Sequence, residues 1–384
     1  MDVPAHQPVH RPLIAILTMD DDEERFRGNR SNFVDLIRTG AEMGVLVCVV
    51  TVNHLKLKQK RIVAYMYDPV TKTWSQQLVG LPHVIYNRIP HRQDEKLPEV
   101  QKALKAALKH PEIKLFNPFF FNKWSLFEWL GKGKTTARYI PATRKMSSLT
   151  ELAAMLRRYP VVYLKPILGK AGKGIMRVEK IASGAENKTE YVLTVQETKG
   201  SESYKFGSIA QLWSNIQKET EHQPYIVQRG ISLAKHRKRP FDLRLLVQKN
   251  YRGEWAVTGV GARLAGKQSI TTHVPRGGSI DDPEKLLASA FDEETAKRIV
   301  TRAKNAALAI ARQIERKSGH KLGEMSMDIG VDVQGGIWFF EANSKPMKFD
   351  EPHIRKKSLE RIIQYALHLI RTNRAKTSGI SASD

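Results

Sequence analysis

Apolar and polar positions along the chain change period repeatedly, and the changes outline a layered α/β protein. Leu13 to Leu17 is a wholly apolar run of strand length. A polar stretch from Asp20 to Arg30 follows. Ser31 is the expected N-cap of a helix that sets Phe33, Leu36, Ile37, Gly40, Ala41 and Gly44 on one face. Val45 to Val52 supplies the next strand, so this stretch reads as a βαβ unit of a parallel sheet. Ile62 to Tyr67 and Trp74 to Val79 read as an inserted hairpin. Val84 to Tyr86, a helix from about Lys96 to Lys109 and a strand from Lys114 to Phe116 complete a first domain, which ends near Asn117-Pro118.

Past that point longer, alternating runs take over. A helix opens at Phe121-Asn122-Lys123-Trp124 and runs through Leu130; another spans Thr150 to Tyr159. Val161 to Ile175 reads VVYLKPILGKAGKGI, a β-rich run, a glycine-rich turn and a return into a strand. Ile181 to Ser203 is polar and suits outer strands. Pro224 to Ile231 is a strand followed by a turn. In Phe241 to Val247, alternation sets Asp242 and Arg244 on one face, and Trp255 to Val260 with Ala262 to Leu264 continue the sheet. A long amphipathic helix covers about Asp292 to Lys317. Met325 to Val333 and Ile337 to Ala342 then flank Gln334-Gly335-Gly336 as an antiparallel hairpin. A closing helix from about Lys357 to Arg371 precedes a small, polar tail expected to be disordered.

The hairpin carries the most chemistry. A turn centred on Gln334-Gly335 sets Asp328 opposite Glu341, and Asn343 shares their face. Ile329, Val331, Val333, Trp338 and Phe340 fall on the other, apolar face. Two carboxylates and a carboxamide are hard oxygen donors of the kind that hold Mg²⁺. One extra residue in the turn would flip a strand and scatter them.

The glycine run Gly169-Lys170-Ala171-Gly172-Lys173-Gly174 lies between two strands, with Lys165 ending the first. Glycines let backbone N–H groups approach phosphate oxygens, and lysines add charge; a lysine-rich hairpin turn has the same composition. No helix follows, which excludes the dinucleotide fingerprint. Gly131-Lys132-Gly133-Lys134-Thr135 is no P-loop, because the pattern needs glycine where Glu128 stands. Arg88 follows a strand end, where α/β sheets place ligands.

Charge sharpens the choice of partner. Lys and Arg number 63 against 39 Asp and Glu, a net +24, which favours anionic ligands. The densest basic run, Lys235 to Arg239, lacks the interleaved aromatics of a single-strand binding platform and reads as a solvated loop, so nucleic acid is not the partner indicated. No apolar run reaches the ~18 residues of a membrane helix. The N-terminus has no signal-peptide pattern, and the lone Cys48 lies in an apolar strand, so the sequence reads as cytosolic.

Glu341-Ala342-Asn343, with an aspartate thirteen residues before the glutamate, resembles the closing motif of the ATP-grasp ligases. The strand–glycine loop–strand with Lys165 resembles their other signature, and the run of the sequence, including VIYNRIP and FFFNKWSLFEWL, resembles the YheC/YheD family of endospore coat-associated proteins. The resemblance implies an ATP-grasp fold: a pre-ATP-grasp α/β domain over 1–118, a lid subdomain over 119–229, a C-terminal antiparallel-sheet subdomain over 230–372 and a tail over 373–384. It implies ATP and two Mg²⁺ as cofactors. Lys123 and Lys165 would contact phosphates under a lid formed by Gly169, Lys170, Gly172, Lys173 and Gly174. Gln228, Arg229, Gly230 and Ile231 would be the adenine-reading hinge, and Asp242 the acid on the ribose. Arg263, with Arg244, would neutralise the transferring phosphoryl group, while Asp328, Glu341 and Asn343 bind the metals. Arg88, His273 and Arg276 are weaker candidates for the substrate side. Three positions depart from the family: Arg229 where an acid is common, His273 where asparagine is, and Ser326 where D-alanine ligases have arginine. The implied activity is ATP-dependent ligation of an unidentified carboxylate to an amine, acting on an acidic peptide or spore-layer component at the forming coat. A non-catalytic coat protein that keeps nucleotide binding is the alternative.

Overall fold

The computed structural model describes residues 11–169, 172–183, 188–198, 200–221, 223–347, 349 and 351–377. Within them the chain forms three six-stranded sheets and a two-stranded ribbon. Leu13–Thr18 and Leu46–Thr51 pair in parallel across the helix Arg30–Glu42, as the βαβ pattern requires. Val84–Asn87 and Lys114–Phe116 extend the parallel part, and the hairpin Arg61–Asp68/Thr73–Gly80 adds an antiparallel edge. The helix starts earlier than expected. Asn29, not Ser31, is its cap, with Oδ1 accepting from the Asn32 amide at 3.0 Å.

The second sheet is antiparallel throughout, in the order Ser201–Phe206, Lys188–Gln196, Met176–Ser183, Val161–Pro166, Tyr225–Arg229, Thr143–Met146. Helices Leu149–Arg158 and Ile209–Thr220 cover one face, burying Leu152, Met155, Leu212 and Ile216 against Val162, Leu164 and Val227. This sheet is the lid.

The third sheet is the floor of the site. Ser279–Asp281, Trp255–Leu264, Arg239–Lys249, Glu324–Val331 and Ile337–Asn343 lie side by side, all antiparallel. Trp255–Leu264 is one strand rather than two. Leu243, Leu245, Met327, Ile329, Val331 and Phe339 face a core built with helices Lys123–Gly131, Pro283–Ala290 and Glu293–Ser318. The long helix is capped by Asp292. The short helix Pro283–Ala290 is not evident in the apolar pattern, although Asp282 caps it and proline opens it.

Two expectations about the chain's end need correcting. In the hairpin, Asp328 does pair with Glu341, but the register slips by one between Asp328 and Ile329. That bulge turns Phe339 into the core and sets Trp338 and Phe340 on the same face as Glu341. Val333, expected in the apolar face, stands 59% exposed in a turn organised by Asp332, whose Oδ1 accepts from the amides of Gln334 and Gly336 at 2.9 and 2.7 Å. The tail expected to be disordered is helical through Thr377, as part of the closing helix Pro352–Thr377; its remainder lies outside the described residues.

Candidate active site

The polar face of the floor gathers residues from four strands. Asp242 and Arg244 alternate with core leucines, Arg263 stands opposite Asp242, and Asp328 stands opposite both Arg244 and Glu341. Asn343 follows two residues after Glu341 and lies opposite Ser326. The convergence is a consequence of register, since each of these side chains points out of the same pleated surface.

Arg263 is only 4% exposed and is held between two acids. Its Nε and an Nη reach the two oxygens of Asp242 at 3.1 and 2.8 Å, and the same Nη reaches Asp328 Oδ2 at 2.8 Å. Burial alone would lower its pKa, but Asp242 and Asp328 outweigh that and raise it. Burial would raise the Asp328 pKa; Arg263 and Arg244 hold it down to about 2 instead. Arg244 sits more loosely, 3.5 Å from Asp328 and 3.4 Å from Ser326 Oγ, with the Phe349 ring beneath it. Its guanidinium thus lies beside Ser326.

Asp242, the residue the resemblance puts on the ribose, is engaged by its neighbours. Both oxygens hold Arg263, and Oδ2 also accepts from Thr272 Oγ1 at 2.6 Å. So engaged, Asp242 braces the floor between Arg263 and Thr272.

Lys123 opens its helix under the cap of Asn122 and ends 3.0 Å from Glu341 and 3.4 Å from the Gly169 carbonyl. Lys165, on the lid strand, donates to Gln228 Oε1 at 2.7 Å and lies 5.1 Å from the Phe340 ring. Burial, with Lys123 nearby, lowers its pKa to about 8. Gln228 in turn donates to Thr143 Oγ1 at 2.8 Å. Arg229 is exposed, its guanidinium between the rings of Tyr159 and Trp338 at 5.3 and 5.4 Å. Gly230 approaches the Val161 carbonyl so closely that a Cβ would stand 2.9 Å away, and Ile231 is half-buried beyond it. Of the glycine loop, Gly169 packs against Pro166, Gly172 against His273 and Arg276, and Gly174 against Tyr225; Lys173 is exposed and Lys170 lies outside the described residues.

A cleft of about 1010 Å³ runs from Asp328 and Glu341 to the N-terminal sheet, where Arg88, Arg92 and the Asp21–Asn29 loop line it. Arg88 is largely engaged elsewhere, pairing with Glu324 at 3.4 Å and donating to the Pro346 carbonyl at 3.1 Å. Tyr86, Gln248 and Glu324 complete that seam between the first and third sheets. Burial raises the Glu324 pKa. Two lining residues had no signal in the sequence. Lys345 is buried against Glu95, Asn87 and the Ile89 carbonyl, and burial lowers its pKa to about 8. Arg92 is oriented by the Phe120 and Phe121 carbonyls at 3.4 and 2.7 Å.

Three sheets stacked around one cleft, with acids on the floor and a glycine loop on the lid, define the ATP-grasp ligase fold. The D-alanine–D-alanine ligase of Bacillus anthracis complexed with ATP shares it with a TM-score of 0.53, covering 95% of this chain and 99% of that one at 11% identity. Residues 112–369 match the YheC/D-like ATP-grasp family, and the chain belongs to it. Among its relatives is the endospore coat-associated protein YheD of Bacillus subtilis, 28% identical over 93% of this chain and 79% of that protein. YheC of the same organism, also endospore coat-associated, is 23% identical over 81% of this chain and 84% of its own. Among the described residues no helix is long and apolar enough to cross a membrane.

Proposed function

We propose that this protein binds ATP with divalent metal between lid and floor and joins a carboxylate to an amine through an acyl-phosphate, in association with the spore coat. The observation that carries this reading is the convergence of Asp328, Glu341 and Asn343 with Lys123, Arg244 and Arg263 on one polar face, beneath the glycine loop and Lys165. The oxygen donors fit Mg²⁺, and when bound, such ions would offset charge on the transferring phosphoryl group. Lys123 and Lys165 are the groups proposed for the phosphates, and Gln228 to Ile231 for the adenine.

In this reaction a carboxylate oxygen attacks the γ-phosphorus as the bond to ADP breaks. The amine nitrogen then attacks the acyl carbon, phosphate leaves and the nitrogen loses a proton. Arg244, less tightly paired than Arg263, is the side chain better able to swing toward the charge that develops. The cleft, about 1010 Å³, is lined both by the proposed metal groups and by Arg88 and Arg92, so phosphates and acceptor would share it.

The relatives' names favour a second reading, a nucleotide-binding coat scaffold without catalysis. An ADP-release screen over acids and peptides paired with amines separates the two, with Glu341→Gln as control. A pair that stimulates release in the parent and not in the variant supports the ligase. If no pair does so while the ATP affinity is intact, the scaffold reading replaces it.

A further inference from the structure

The loop after Trp255–Leu264 brings a nitrogen donor to a cluster otherwise made of oxygens. Thr272 ties that loop to the floor through Asp242, and His273 is the next residue. The His273 carbonyl accepts from the amides of Arg276 and Gly278 at 2.8 and 3.2 Å, which fixes the main chain beneath the ring. One ring nitrogen of His273 and one carboxylate oxygen each of Asp328 and Glu341 lie within 4.8 Å of one another. The His273 Nδ1 is sealed from solvent and meets no hydrogen-bond partner among the described residues. A buried polar atom left without a partner is costly, so an imidazole with one nitrogen orphaned and one ring nitrogen within reach of the carboxylate cluster calls for a ligand. Gly172 of the lid approaches the ring closely, since a Cβ there would stand 3.2 Å from Nδ1.

We propose that His273 is a ligand of the divalent-cation site, giving it a mixed nitrogen–oxygen donor set with Asp328 and Glu341 that takes a first-row transition ion in preference to Mg²⁺. The inference rests on the nucleotide-binding reading above and goes beyond it in naming a nitrogen ligand and the class of ion it favours. Two metal–ligand bonds of about 2.1 Å span about 3 Å when cis and about 4.2 Å when trans, so closing these side chains on one ion asks for shifts of up to about an ångström. Mg²⁺ demands oxygen ligands and holds its water, whereas imidazole suits the later first-row ions; Mn²⁺, the weakest of that series, is the probe whose electron spin reports a bound nitrogen. Lys123 and Arg263 already pair with the two carboxylates, each of which keeps lone pairs free. A further dication is therefore held well only once a polyphosphate brings negative charge, and binding should depend on nucleotide.

The test uses the full chain with a non-hydrolysable ATP analogue, titrated with Mn²⁺ and with Mg²⁺ by calorimetry, and pulsed EPR of the Mn²⁺ complex. The expected result is a directly coordinated ¹⁴N coupling in the parent, with Mn²⁺ bound about tenfold or more tighter than Mg²⁺, the scale on which even an outer partner tunes a metal site. His273→Asn, which offers an oxygen at similar reach, should lose the coupling and most of that preference while keeping its Mg²⁺ affinity. Bound Mn²⁺ without ¹⁴N coupling in the parent overturns the inference and leaves the nucleotide reading standing, and this outcome needs no variant to fold. An unchanged Mn²⁺-to-Mg²⁺ ratio in His273→Asn overturns it as well. If the analogue binds neither ion, this inference and the nucleotide–metal reading fall together.

Discussion

Arg263 on the floor and Lys165 on the lid border the same site, yet the protein holds them in opposite ways. Arg263 has an acid on either side, and its charge is compensated to the point that its pKa rises despite burial. Lys165 has an amide oxygen and aromatic rings for company, and its pKa falls to about 8. A compensated charge is part of the fold. An under-compensated one is held ready for an anion that the protein does not itself provide. The first kind is costly to remove, and the second is costly to keep until a ligand arrives.

The largest test of this contrast is Arg263→Ala. It leaves Asp242 and Asp328 buried without their partner, and we expect a loss of about 3–5 kcal/mol in urea unfolding. Adding Asp242→Asn should recover part of that. A single variant within 1 kcal/mol of the parent, on the scale of that ~3–5 kcal/mol loss, would show that Arg263 is no structural charge.

Lys165→Met should behave in the reverse sense. Its stability is expected within about 1 kcal/mol of the parent, because the desolvation relieved offsets the lost hydrogen bond. Affinity for an ATP analogue should fall by about 10–100-fold, the worth of a charge-assisted bond. Unaltered affinity by calorimetry removes Lys165 from the phosphate site.

A smaller effect is read in protons. In the free protein Lys165 gives up its proton at about 8, below the ordinary lysine value. A bound phosphate favours the charged form, so binding at about pH 8.5 should take up a fraction of one proton. Calorimetric enthalpies in two buffers of different ionisation enthalpy measure it, and Lys165→Met should abolish it. On the floor the linkage has the other sign. Asp328 has a folded pKa of about 2, below its ordinary 3.8, so its contribution to stability is present above about pH 4 and lost as pH falls through 2. A parent whose urea midpoint does not fall over that window any more than Asp328→Asn would contradict the assignment.

Smallest is the response of the glycine loop. Peptides spanning 168–175 should gain hydrogen-exchange protection with ATP analogue and divalent ion, since Gly172 already leans on His273 and Arg276. No gain would separate the loop from the phosphates.

The amino-acid sequence by itself determined most of the elements, though not helices Ile209–Thr220 and Pro283–Ala290, and the polar side of the hairpin. Strand alternation is a local rule with period two, so Asp328, Glu341 and Asn343 could be placed on one face from a single turn, and Asp242 and Arg244 on another strand's face in the same way. Tertiary structure alone decided what those faces meet. The bulge that sends Phe339 inward and Phe340 outward depends on packing against the core helices, which no repeat in the sequence reports. Asp242 and Arg263 stand opposite each other only because the register of two strands is set across a loop and a bulge, and that pairing ties Asp242 into the floor. Tyr86, Arg88 and Glu324 meet across more than two hundred residues, and His273 reaches the carboxylates through a loop with no periodicity of its own. Patterns along a chain constrain neighbours strongly because few dihedrals separate them; partners far apart in sequence are chosen by which surfaces can be buried together.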